Sequence, residues 1–434
     1  MNKHIAGCLL VLAGLLLGAT AHGAAPEGRA LVTGLALSRS LDRDLEPVIV
    51  TGAAVGGFRG LPVDEFFAYA YIGDKWRQIP AQVDELTPEG VYTFTEDGLM
   101  DANDEIIFMV KDLGDQALEG ASLPVELRGN AAWYEIEVAD PLSPDRKAWG
   151  YLVHSTVLTP TFAADYVDFD PGFHRINAEG YSLGFGVMHR GADYLTIGVA
   201  GPEILDRIKS SFQCPVPILC PQTEESMAPL PDGLIRDGPV RAILREGQVV
   251  AYGSMLRWAS PFEIPSWFPK GSVRLSVDFN ESVIGSVHYS DAVPYGVTVD
   301  GIADDVPTEP LSSWWQLSTD AGTLIHVADT SSIGGSQYNY YADDSQWDGS
   351  DTGDRRHYGD AGMVADDPEG SFTHEFSLYT LPGRLPNLGA TYAQFGNHPL
   401  SVTTTWHTGP RLWKAHLPMI LNVGRSTRDT SETV

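Results

Sequence analysis

SVRLSVDF, residues Ser272–Phe279, decides the fold class. Val273, Leu275 and Val277 alternate with Arg274, Ser276 and Asp278. A period of two puts the apolar set on one face of a strand and the polar set on the other. Upstream, VRAILREGQVVAYGSMLRW (Val240–Trp258) places two β-rich runs around Glu246-Gly247, a hairpin signal. Val283–Tyr289, after the link that begins Asn280-Glu281, is expected to pair back on Ser272–Phe279 as a second hairpin. Similar short runs recur at Pro47–Thr51, Phe66–Ile72, Trp76–Val83, Glu105–Val110, Trp133–Val138 and Ala148–His154. They return at Thr323–Ala328, Phe372–Leu381 and Ser401–His407, with glycine and proline between. One segment, Glu203–Phe212, spaces Ile204, Ile208 and Phe212 as a helix would. The chain is therefore expected to be all-β. An N-terminal β-sandwich over residues 24–165 precedes a large antiparallel supersandwich-like domain over residues 166–434. The boundary falls near Pro160–Asp170, where the strand pattern lapses.

Residues 1–23 read as a secretory signal peptide. Lys3 and His4 precede an apolar run from Ile5 to Leu17, too short to span a bilayer, and Ala21-His22-Gly23 offers a cleavage site before Ala24. A periplasmic or extracellular location follows, with no membrane insertion. Cysteine usage agrees with it. Cys8 leaves with the signal, and Cys214 and Cys220 flank a short proline-containing loop that a disulfide closes in an oxidising compartment. The net charge of -29 makes nucleic acid and anionic membranes poor partners.

Chemistry concentrates in YNYYADDSQWDGSDTGDRRHYGDAG, Tyr338–Gly362. It lacks apolar periodicity and reads as a loop. Six aspartates (Asp343, Asp344, Asp348, Asp351, Asp354, Asp360) crowd around Arg355, Arg356, His357 and Tyr358. In a catalytic reading His357 or Tyr358 is the base, and Arg355 or Arg356 neutralises a substrate carboxylate, as uronate β-elimination requires. In a binding reading Tyr340, Tyr341 and Trp347 stack on sugar rings. The bland reading is a solvated loop. A second acidic segment, TFTEDGLMDANDE (Thr93–Glu105), puts Asp97, Asp101 and Asp104 at EF-hand positions five, nine and twelve around Gly98, so calcium is a candidate cofactor. Thr93 and Thr95 occupy positions one and three and Asp104 replaces the bidentate Glu at twelve, departures that favour an acidic turn in a hairpin or between strands. His288, His326, His374 and His407 lie on expected strands and read as satisfied sheet residues. No Gly-x-Ser-x-Gly elbow, His-Glu-x-x-His or Walker loop occurs.

WRQIPAQVDE (Trp76–Glu85) followed by DEIIFMVKDLG (Asp104–Gly114) resembles a pattern of uncharacterised exported bacterial proteins. GPVRAILR (Gly238–Arg245) and PYGVTVDG (Pro294–Gly301) are similar to segments of supersandwich domains in galactose-mutarotase-like proteins and polysaccharide lyases. The resemblance carries over no catalytic residue. It implies an exported glycan-associated protein: a lyase acting on acidic polysaccharide, or a non-catalytic glycan-binding or envelope-associated structural protein.

Overall fold

A computed structural model describes residues 37–94, 97–117 and 132–408. The expected signal peptide lies outside the described residues. Ser272–Phe279 forms the strand its alternation predicts, at the centre of a five-stranded antiparallel sheet. The spatial order there is Gln222–Thr223, Leu205–Gln213, Ser272–Phe279, His357–Asp366, Ser336–Asp344. Its apolar face packs on a nine-stranded antiparallel sheet, whose middle is built from Val249–Tyr252, Met255–Ile264, Gly370–Pro382, Gly322–Asp329 and Trp314–Ser318. Val277, Phe279 and Ala361 from one sheet share a buried cluster with Trp258, Trp315, Leu324 and Phe376 from the other. Two antiparallel sheets burying facing apolar sides make a sandwich.

The N-terminal part repeats the principle on a smaller scale. A three-stranded sheet (Pro47–Thr51, Glu105–Met109, Gln82–Asp84) packs on a five-stranded one through Val48, Val50, Ile106 and Phe108 against Ala68, Ile136 and Val138. The edge of that second sheet comes from the far end of the chain: Ser401–Thr408 pairs with Ala132–Asp140. Residues on either side of 165 also share a core. Ile107 and Met109 pack with Val240, Ile243 and Tyr379, and buried Arg241 binds Asp84 at 2.7 Å and Glu105 at 2.6 Å.

Three local readings are corrected. The segment expected to be helical, Glu203–Phe212, is mostly the strand Leu205–Gln213. Ile204, Ile208 and Phe212 are four apart, and a spacing of four satisfies a period of two as well as one of 3.6. The long antiparallel pairing with Ser272–Phe279 settles which period wins. The expected second hairpin does not close. Val287–Ser290 pairs with Trp314–Ser318, so the link after Phe279 crosses from one sheet to the other. Tyr338–Gly362 is not one loop: both its ends belong to strands, paired from Ser336 with Asp366 to Asp344 with His357, and the connection between them is residues 345–356. The first hairpin forms between Arg241–Leu244 and Val249–Tyr252, and the chain folds back again into Met255–Ile264. Among the described residues the only α-helix is Gly389–Asn397, and no helix is long and apolar enough to cross a membrane.

Cys214 and Cys220 form the expected disulfide. With Cys8 replaced by Ser, the unfolded, unreduced protein should therefore contain no free thiol in a colorimetric assay. Reduction should cost about 2 kcal/mol of stability, since the closed loop is short. Two reactive thiols would contradict the bond.

Candidate functional site

The polar side of the Ser272–Phe279 alternation does not face solvent. Register brings Arg207, Lys209 and Ser211 beside Asp278, Ser276 and Arg274 on one flank. On the other flank lie Asp360 and Gly362 of His357–Asp366, and beyond them Tyr340. The connection 345–356 folds over this face and inserts Asp351 into it. The Lys209 ammonium, with no side-chain exposure, is hydrogen-bonded to both Asp278 and Asp351. Arg274 donates to Asp351 at 2.6 Å and to the Tyr340 hydroxyl at 2.8 Å. His357 Nδ1 lies 3.4 Å from Asp360, 3.7 Å from Asp351 and 3.9 Å from Asp278.

Electrostatics ties these groups together. Burial alone would lower the His357 pKa, but contact with Asp360 and the charges of Asp360 and Asp351 outweigh it, and the pKa is raised. Burial would raise that of Asp360; His357, Lys209 and Arg274 outweigh it and hold the carboxyl well below its ordinary range. Asp206, at the rim, is pushed up to about 6, mainly by burial. The connection fits here only with glycine at 353. Its φ is +69°, and a Cβ would lie 1.9 Å from the Asp206 carboxylate.

The predicted site residues divide between two faces. His357 points into the charged cluster, whereas Tyr358 is in the apolar core between the sheets. Tyr340 belongs to the charged face, while Tyr341 packs on the core with its ring tilted against His288, centroids 4.6 Å apart. Tyr358 and Tyr341 thus lie across the sheet from His357. Arg355 and Arg356 are exposed, and Arg355 sits 5.5 Å over the ring of Trp347, itself 64% exposed.

The six aspartates of this stretch are engaged elsewhere. Asp343 accepts from the amides of Asp300 and Gly301, Asp344 from that of Gln346, and Asp348 from Ser350. Asp354 accepts from the backbone of Arg356, Asp351 binds Lys209 and Arg274, and Asp360 faces His357. Neither guanidinium of the Arg355–Arg356 pair has a carboxylate partner among the described residues.

In the other acidic segment, Asp104 is fully buried and its two oxygens accept from the amides of Leu86 and Asp101, while Asp97 accepts from Leu99. These carboxylates shape the turn. Among the described residues, the only trio of His, Cys, Asp or Glu side chains with ligand atoms within 4.8 Å of one another is Asp278, His357 and Asp360. Its nitrogen and the adjoining Lys209 ammonium suit calcium poorly, because calcium takes six to eight oxygens.

The histidines also differ from expectation. His407 stacks on Trp133 at 4.0 Å, but His288 Nδ1 is buried without a hydrogen bond, and the rings of His326 and His374 line a cavity and make none to any described residue. Sequence reading missed Lys209 because a helix was expected there. The signal that could have found it was the polar alternation Arg207, Lys209, Ser211 matching Arg274, Ser276, Asp278. No protein-family model matches the chain, and no curated protein is similar to it.

A raised His357 pKa means that its contribution to stability is fully present below its unfolded value of about 6.5 and is lost as pH rises through the folded value. Melting temperature should therefore fall more steeply above about pH 6.5 in the wild type than in His357→Gln. Parallel pH profiles would show that the imidazole is not held as a cation.

Proposed function

We propose that this is an exported protein that binds acidic glycan chains on the outer side of the five-stranded sheet, through Trp347, Arg355 and Arg356. The observation that carries the reading is the pair of arginines without carboxylate partners amid six committed aspartates. An exposed guanidinium fork binds a carboxylate through two parallel hydrogen bonds. The indole beside it offers an apolar face to a sugar ring.

Binding is favoured over β-elimination on the same grounds. A general base must be free to accept a proton at the working pH. His357 is held toward its charged form by surrounding carboxylates, and Tyr358 is in the core. A lyase reading would need His357 released from Asp360.

Isothermal titration with a polyuronate such as polygalacturonate tests the proposal. Wild type should bind. Trp347→Ala and the double change Arg355→Ala/Arg356→Ala should each weaken affinity roughly tenfold, equivalent to about 1.4 kcal/mol. Added salt should weaken binding too, because the contact is ionic and exposed. Unchanged affinity in these variants, or equal binding of a neutral glucan, would overturn the site. An unsaturated product absorbing in the ultraviolet, lost in His357→Gln, would replace binding by elimination.

Calcium enters as a separate proposal at the Asp97–Asp101–Asp104 turn. If it binds there, calcium should raise the melting temperature over chelator, since a ligand specific to the native state stabilises by mass action. Superimposable curves would leave Asp97 and Asp104 as acceptors of backbone amides alone.

A further inference from the structure

Between the two facing sheets lies a cavity of about 160 Å³. One wall is an aromatic column that crosses four strands of the nine-stranded sheet. Trp258 stacks on Phe376 with centroids 5.8 Å apart, Phe376 on His326 at 4.9 Å, and His326 on Trp315 at 4.8 Å. His374 adjoins it, 6.3 Å from His326. The opposite wall is aliphatic, from Leu275, Val277 and Met363 of the five-stranded sheet.

Two features of this cavity are unexplained by folding alone. His326 and His374 are only 5% and 9% exposed, and their ring nitrogens, not sealed off like Nδ1 of His288, open onto the cavity with no hydrogen bond to a described residue. Burial lowers both pKa values, that of His374 to about 4, so the rings are neutral. A neutral imidazole presents one donor and one acceptor, and buried groups of this kind are normally paired.

At the rim stand Arg190 and Arg245. The Nε of each is buried without a hydrogen bond, and neither guanidinium forms an ion pair with a described residue. Arg245 is 7% exposed, with its guanidinium 4.3 Å over Phe185 and 5.7 Å from Trp258. The charge of Asp232 reaches it, but that carboxylate is held 2.5 Å from His174. Arg190 opposes it with a like charge. Arg245 also has φ +55°, a region a long side chain rarely adopts, and such strained residues cluster at functional sites. In a chain with a net charge of -29, a buried arginine and a half-buried neighbour that form no ion pair among the described residues favour an anion at this rim.

We propose that this cavity is a second binding site, for a small carboxylate carried on a single six-membered ring. The carboxylate meets Arg245 and Arg190 at the rim. The ring lies between the aromatic column and the aliphatic wall, and its substituents meet His326 and His374. Size agrees, since a cavity of about 150 Å³ holds a benzene-sized guest. A polymer chain does not fit, so the site is separate from the outer face and does not depend on the reading of Trp347.

An aromatic acid and a free uronic acid share this chemistry, and titration calorimetry with benzoate and with galacturonate separates them. At least one should bind saturably. The affinity should fall tenfold or more in Arg245→Gln, and also in Ala328→Phe, which fills the cavity from a partly exposed lining position. The titrations are made in the Trp347→Ala/Arg355→Ala/Arg356→Ala background, where the outer face does not contribute. Ala328→Phe keeps the test open if Arg245→Gln does not fold. Binding of benzoate alone assigns an aromatic acid, of galacturonate alone a uronic acid, and of both a site that reads only ring and carboxylate. Failure of both to bind at millimolar concentration, or binding unaffected by Ala328→Phe, would overturn the proposal.

Discussion

The Lys209 ammonium, buried between Asp278 of the neighbouring strand and Asp351 of the covering connection, governs the outer side of the large sandwich. Taking an ammonium out of water costs several kcal/mol, and good geometry with carboxylates must offset it. Here the offset comes from two sources: the sheet supplies Asp278, and residues 345–356 supply Asp351. The connection is therefore required for Lys209 to stay buried, and Lys209 for the connection to stay down. Removing either partner leaves uncompensated charge in the interior.

That mutual dependence explains the arrangement outside it. With Asp351 drawn inward to Lys209 and Arg274, Asp360 facing His357 and the other aspartates of the stretch accepting from backbone amides, Arg355 and Arg356 remain at the surface, Arg355 over Trp347. The acidic composition of the stretch neutralises the sheet and not its own arginines. A strongly negative chain thereby exposes a local cationic and aromatic rim. The apolar side of the same strands bears the inter-sheet cavity, so one sheet carries a candidate site on each face.

Much of the fold was legible because it rests on period-two patterning. Ser272–Phe279, the first hairpin and the all-β class follow from alternation that burial enforces. The strand Leu205–Gln213 was misread because a spacing of four residues belongs to both periods, and only pairing with a distant strand distinguishes them. The polar set Arg274, Ser276 and Asp278 is legible as the second face of the strand, but not what covers it. Its burial depends on Lys209, 65 or more residues away in the chain, and on Asp351, which local pattern cannot place. In the candidate site, His357 and Tyr340 were found by composition. Tyr358 and Tyr341 were displaced to the core by the alternation that made the strands recognisable. The pairing state of His326, His374 and Arg245 depends on what the opposite sheet offers them, and a linear reading contains no trace of that.

Amide hydrogen exchange over residues 348–355, compared between wild type and Asp351→Asn, tests most directly whether the buried ammonium holds the outer face together. Asparagine keeps the size of Asp351 and the Lys209–Asp278 pair, and removes only the charge that draws the connection inward. The account predicts that these amides, protected in the wild type by bonds such as Asp348 N–H to Arg355 O at 2.8 Å, exchange much faster in the variant while the strand Ser272–Phe279 keeps its protection. Equal protection of the connection in both proteins would contradict it.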